Sequence, residues 1–196
     1  MKRAFDILVS FIVLALFFPI GLVLAILIVM ESKGGVFYYQ ERVGRNQQLF
    51  SLIKFRSMRP NADLLGQLTV GAKDPRITKV GFLIRKFKLD EFPQFLNVLK
   101  GDMSIVGPRP EVSKYVALYT EEQRKILAVK PGITDYASIE YFNENEILAK
   151  AQDPEKAYIE EILPAKIKLN ERYLANPTLS ADLKIMLLTF LKMLGR

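Results

Sequence analysis

The chain contains no cysteine and no histidine. Without cysteine there is no disulfide framework, no thiolate nucleophile and no cysteine-based zinc site. Without histidine there is no imidazole base, and no side chain whose ordinary pKa lies between about 5 and 8. Any acid, nucleophile or metal ligand must come mainly from Asp, Glu, Lys, Tyr or Ser/Thr. Acidic residues are also the minority charge: 21 Asp and Glu against 28 Lys and Arg leave a net charge of +7. That sign of excess suits nucleic acid, an anionic membrane surface or phosphorylated substrates. A chain without disulfides fits a domain that faces the cytosol.

Apolar residues are plentiful. They make up half of the 196 residues, although 25% of the chain is charged. The excess is concentrated in a run from Ile7 to Met30, broken only by Ser10, Pro19 and Gly21. At about 1.5 Å per residue the run is long enough to cross a hydrocarbon core of roughly 30 Å. It exceeds a typical signal-peptide core and carries no small-x-small cleavage pattern. Pro19 cannot donate to the carbonyl of Ala15, and its ring crowds that turn, so a kink is expected. Lys2 and Arg3 precede the run, and Lys33 and Arg42 follow it. Positive charge on both sides fits both ends lying in the cytosol under the positive-inside rule, without deciding between topologies. A straight span and a re-entrant hairpin remain open on these grounds.

Beyond Gly34-Gly35 the pattern changes. Val36 to Gln40 and Leu49 to Phe55 read as two strands around a turn at Arg42 to Asn46. Asn61 is placed to cap a short helix through Leu65. Lys79 to Lys88 sets Val80, Leu83, Ile84 and Phe87 against basic residues at helical spacing, as in a surface helix or one lying on anionic lipid. Pro93 suits the first turn of a helix through Leu99, with Gly101 as its stop. Helices are also expected at 121–128, 144–151 and 154–174, the last starting a new turn at Pro164. A final apolar helix at 179–194 packs as core or lies on the membrane, with core the favoured expectation.

Asp90 and Glu91 fall at or just before the N-terminus of the helix that Pro93 opens. Taken alone, such a pair is more often a helix-end charge facing the dipole than a catalytic dyad. Adjacent carboxylates point in different directions, so two roles suit them better than one. One can attack phosphorus to give an acyl phosphate, and the other can hold Mg2+ or place a water. Lys54, Arg56, Arg85 and Arg109 are phosphate-binding types. In Gly107-Pro108-Arg109-Pro110 the prolines stiffen the backbone on both sides of the arginine.

Several blocks together resemble the bacterial sugar transferase family, the monotopic polyprenol-phosphate phosphoglycosyl transferases. They begin with Lys2-Arg3-Ala4-Phe5-Asp6 and Pro19. Next come Gln40-Glu41-Arg42-Val43-Gly44, Lys54-Phe55-Arg56-Ser57-Met58 and Asp74-Pro75-Arg76-Ile77-Thr78. Most specific are Leu89-Asp90-Glu91 with Pro93-Gln94, Asn97 through Ser104, and Val106-Gly107-Pro108-Arg109-Pro110. Pro131-Gly132-Ile133-Thr134 closes the match. The resemblance implies an α-dominated α+β membrane protein. It would have a re-entrant, proline-broken helix over residues 1–33. Residues 34–196 would form a catalytic domain with a small β-hairpin and interfacial helices, on the cytoplasmic side of the bacterial inner membrane.

It also implies a reaction. Asp90 attacks a UDP-sugar, releases UMP and forms a covalent phosphosugar, which passes to polyprenol (undecaprenyl) phosphate. Mg2+ sits between Asp90 and Glu91, while Lys54, Arg56, Arg85, Arg109 and Gln94 bind phosphate or substrate. A homodimer is left open, and no nucleic-acid partner is expected. Two positions depart from the family pattern. Phe18 stands where many relatives place Ser before the proline. Asp135 to Phe142 lacks their Gly, Gln-Val and Asn-Gly-Arg elements. The competing expectation is a basic membrane anchor that binds anionic lipid or nucleic acid without catalysis.

Overall fold

The computed structural model describes residues 2–62, 66, 68–71 and 74–195. The short helix expected from Asn61 to Leu65 falls largely outside that set. The first element is a 30-residue helix, α1 (Lys2–Glu31), which continues through Pro19. Its inward stripe is Asp6, Ser10, Val13, Phe17, Gly21, Leu24 and Ile28, at intervals of three and four, as one helical face requires. Asp6, Ser10, Leu24 and Ile28 are buried, and Gly21 passes close to the Phe55 ring. The opposite side leaves large apolar residues open along the whole length, from Leu8 and Phe11 to Val29 and Met30.

Strands β1 (Phe37–Val43) and β2 (Leu49–Phe55) form an antiparallel hairpin in which Phe37 faces Phe55 and Val43 faces Leu49. β1 starts one residue later and runs three residues further than its aromatic pattern suggested. The reversal sits at Gly44–Gln48, where Asn46 and Gln47 adopt positive φ. Helix α2 (Lys79–Lys86) is capped by Thr78, and Lys88 then turns left-handed. That twist directs the chain into a single tight turn, Leu89–Glu91, just ahead of α3 (Gln94–Lys100). The sequence placed Asp90 and Glu91 at or just before a helix start; they lie just before α3, in this separate turn.

Two three-residue strands, β3 (Ser104–Val106) and β4 (Gly132–Thr134), pair in parallel. Neither is legible in the sequence, because three residues carry no period. Gly107 and Gly132 lie back to back; a Cβ on Gly132 would sit 2.1 Å from the Gly107 nitrogen. This contact holds the Pro-Arg-Pro turn against β4.

Short helices follow: α4 (Ser113–Val116), α5 (Glu121–Arg124), α6 (Tyr136–Glu140), α7 (Glu144–Lys150) and α8 (Pro154–Ala157). A wide π turn at Tyr158–Ile162 leads into α9 (Leu163–Leu174), with Pro164 in its first turn. The wide turn accommodates the missing proline N–H, so the expected new turn is realised as a π bulge. The last helix, α10 (Leu179–Leu194), buries only Asp182 and Ile185 and exposes Leu183, Leu187, Phe190, Leu191 and Leu194. The expectation that α10 packs as core is corrected: too little of the molecule lies beside it to cover its second side.

Candidate active site

The two ends of α1 are tied to the elements that carry the chemistry. Asp6 accepts from the Ser104 hydroxyl at 2.8 Å and the Ile105 amide at 3.2 Å, fixing α1 to β3. Arg3 donates to the carbonyls of Val98 and Leu99 at the end of α3. Lys2 reaches the Val106 carbonyl at 3.1 Å and pairs with Asp182 of α10 at 2.5 Å. At the other end, the Glu31 carboxylate accepts from the amides of Lys79 (2.6 Å) and Val80 (2.8 Å). It thereby fills the donor-rich N-terminus of α2. The Lys-Arg-Ala-Phe-Asp block therefore has a structural task. So does Asn97, which accepts from the Ile53 amide and donates to the Ser51 carbonyl, joining β2 to α3.

A cleft of about 1390 Å³ opens between these parts. Asp90, Glu91, Lys54, Arg85, Arg56 and Arg109 all line it. Asp90 is buried, and among the described residues its carboxylate makes no hydrogen bond. Burial, and then the neighbouring Glu91 charge, push its pKa above the ordinary value of 3.8, against the pull of Lys54, Arg85 and Lys88. Glu91 receives both terminal nitrogens of Arg109, one at 3.0 Å to Oε2 and the other to Oε1. Burial alone would raise its pKa, but the Arg109 and Lys54 charges outweigh burial and hold Glu91 ionised. The Arg109 turn is fixed in its own right: its amide donates to Asp135, which also caps α6 through Ser138.

Lys54, half-buried on β2, makes no hydrogen bond or close ion pair among the described residues. Burial lowers its pKa to about 8, with Glu91 opposing and Arg42 and Arg109 assisting. Arg85 likewise has no such partner among the described residues. The site thus presents an ionisable carboxylate, a carboxylate already neutralised by Arg109, and two cations without close partners.

Two other sequence-based candidates sit differently. Arg56 is buried, and its terminal nitrogens donate to the carbonyls of Ile28, Ser32 and Lys33. It closes the C-terminal end of α1, so its phosphate-binding hydrogen bonds are already engaged. Gln94 is 1% exposed and does not line the cleft. It is the first residue of α3, whose inner face turns into the core.

Sequence reasoning missed a second charged cluster in the same cleft. Glu111 accepts from the Tyr158 hydroxyl at 2.5 Å and lies 3.5 Å from Lys166, which in turn pairs with Glu144 at 2.9 Å. Arg42 joins it at 3.6 Å from Glu111 and donates to the Pro110 carbonyl. The available signal was Glu111 directly after the Pro-Arg-Pro turn. Lys166 and Glu144 carry none, because they lie on late helices that only the tertiary fold brings in.

A model of the bacterial sugar transferase family matches residues 1–196. The chain belongs to the bacterial sugar transferase family. Among relatives, this transferase is 45% identical over 143 residues to the UDP-N-acetylgalactosamine-undecaprenyl-phosphate N-acetylgalactosaminephosphotransferase of Aeromonas hydrophila. That match takes in 70% of this chain and 33% of that protein. It is 39% identical to the uncharacterized sugar transferase EpsL of Bacillus subtilis, over 99% of this chain and 87% of that one. It is 34% identical to the UDP-glucose:undecaprenyl-phosphate glucose-1-phosphate transferase of Escherichia coli, over 98% of this chain and 40% of that one. The transferase therefore spans well under half the length of two of these three relatives. Membership in an enzyme family sets aside the reading of a basic anchor without catalysis.

Proposed function

We propose that this transferase moves a phosphosugar from a UDP-sugar to undecaprenyl phosphate, by a ping-pong mechanism through a covalent phosphosugar on Asp90. The observation that carries the proposal is Asp90 itself, a buried carboxylate without a hydrogen-bond partner among the described residues, facing a cleft that holds Lys54 and Arg85. The relatives whose names specify undecaprenyl phosphate supply the acceptor.

An Asp90 oxygen attacks the sugar-linked phosphorus. The bond from that phosphorus to the oxygen bridging the two phosphates breaks, and UMP departs with the bonding pair. No proton has to move, so the absence of histidine is no obstacle. A terminal oxygen of undecaprenyl phosphate then attacks the same phosphorus, the bond to Asp90 breaks, and the carboxylate is restored. Lys54 and Arg85 neutralise phosphate charge near Asp90, and the rigid turn keeps the Arg109 guanidinium beside Glu91.

Mg2+ takes one or two protein carboxylates and completes its shell with phosphate and water. Asp90 and Glu91 fit that demand, although no group of three or more ligand-type side chains occurs among the described residues. Asp90 has free oxygens, and each Glu91 oxygen keeps a lone pair beyond its Arg109 bond. Bound there, Mg2+ would screen the repulsion between carboxylate and phosphate.

The fixing of both α1 ends to one domain supports a helix that enters the membrane and returns, with residues 34–196 on the cytoplasmic face of the inner membrane. In the test, purified protein is incubated with UDP-sugars labelled in the sugar and then denatured. Label is expected to stay on the wild-type chain and be absent from Asp90→Asn. If the wild-type chain never retains label and Asp90→Asn stays active, the covalent mechanism is wrong.

A further inference from the structure

The cleft has an apolar wall that the chemistry at Asp90 does not use. On α1, Val13 and Phe17 line it; on α10, Met186, Phe190 and Met193 do, at intervals that keep them on one helical face. Phe92 packs on Phe17 in a tilted pair with ring centroids 4.6 Å apart and carries this wall to within two residues of Asp90. The two helices are pinned at their first turns by Lys2 and Asp182, and both line the cleft further along. Phe190 is 58% exposed and Met193 40%, so the wall on α10 is open rather than filled by core.

We infer that this apolar wall between α1 and α10 seats the isoprenyl chain of the lipid acceptor, whose phosphate then lies at Lys54 and Arg85. The inference rests on the proposed transfer to a polyprenyl phosphate. Two continuities select this occupant. At one end the wall merges with the outward apolar faces of α1 and α10, where Leu16, Leu187 and Leu191 are exposed. At the other it meets cations beside the buried carboxylate. A ligand that matches both ends needs a long apolar tail and a phosphate head. A nucleotide sugar lacks the tail, and an uncharged lipid lacks the head. A second copy of the chain seated there would leave Lys54 and Arg85 facing no anion.

The experiment places p-benzoylphenylalanine at position 190 and, separately, at Leu191 on the outward face of α10, in the full chain held in nanodiscs. Radiolabelled undecaprenyl phosphate is added without sugar donor, and the sample is irradiated. The position-190 protein is expected to capture label that excess unlabelled undecaprenyl phosphate removes but uncharged undecaprenol does not. Position 191 is expected to show only labelling that neither competitor changes selectively. Equal labelling at both positions, or no selective competition at 190, would show ordinary membrane contact and overturn the proposal. A cross-link between two protein chains in place of lipid capture would assign the wall to self-association and likewise overturn it. Because no donor is present, failure of the aspartyl mechanism leaves this result unaffected. In turnover, Phe190→Ala is expected to raise the acceptor KM about tenfold, as loss of most of a ring that the bound isoprenyl chain would cover predicts. An unchanged acceptor KM would also count against the proposal.

Discussion

At the scale of single residues, the site is governed by three groups whose protonation differs for local reasons. In the proposed mechanism Asp90 must be ionised to attack, yet burial and the Glu91 charge hold its pKa above the ordinary carboxylate value. Lys54 must be charged to hold phosphate, yet burial brings its pKa down to about 8. The dependence of kcat/KM for the UDP-sugar on pH, which reports the free enzyme, is therefore expected to be bell-shaped. Activity is lost on the acid side as Asp90 gains a proton and on the basic side as Lys54 loses one near pH 8. Lys54→Arg keeps the charge at all these pH values, so the basic fall should move upward by more than one unit. Glu91→Gln removes a charge that raises Asp90, so the acid fall should move to lower pH. An acid limb that does not respond to Glu91→Gln would remove Asp90 as its source. Asp90, Glu91, Lys54, Arg85 and Arg109 were legible as a set because motif chemistry survives in short blocks. Glu111, Lys166 and Glu144 were not, because their meaning arises only when distant segments meet.

At the scale of elements, the same arginine type performs opposite tasks. Arg109 sits on a turn and faces a carboxylate, whereas Arg56 leaves β2 and donates to three carbonyls at the end of α1. Sequence could not separate them: both are single arginines within blocks shared with the family. A substitution can. Arg56→Lys keeps the positive charge but cannot reach three carbonyls with one ammonium. The cost is expected to be about 2–3 kcal/mol, which for a chain of this size lowers Tm by roughly 5–10 °C. Far-UV circular dichroism checks the melting point, and the KM for UDP-sugar is expected to hold. A raised KM at an unchanged Tm would return Arg56 to phosphate binding. Glu31→Gln loses the anion at the start of α2, worth about 1 kcal/mol, and Tm in the same assay should fall by roughly 2–4 °C. The hairpin, α2 and α3 were readable because each is bounded by its own glycine, proline or capping residue. The strands β3 and β4 exist only through each other, held by two glycines 25 residues apart in sequence (107 and 132).

At the scale of the molecule, the decisive feature is where α1 is held. A helix of 30 residues extends about 45 Å, enough to cross a membrane once, and composition alone permits that reading. A simple span would leave its first turn on the far side, away from the catalytic residues. Here Lys2, Arg3 and Asp6 bond to α10, α3 and β3, while Glu31 and the last carbonyls bond to α2 and Arg56. Crossing would have to break the first group of bonds and carry the Lys2, Arg3 and Asp6 charges through hydrocarbon, at several kcal/mol for each charge. The outward apolar faces of α1 and α10, with Phe82, Leu83 and Phe87 near α2, are exposed, and under the proposed topology they would meet the lipid while the cleft would stay open to a water-soluble donor. The natural absence of cysteine makes the topology directly measurable. Single cysteines at Ala4→Cys and Lys100→Cys, in inverted and right-side-out vesicles, are expected to react with a membrane-impermeant maleimide from the same side. Reaction from opposite sides would require α1 to detach from β3 and α3, and the architecture that places Asp90 at the membrane surface would then be wrong.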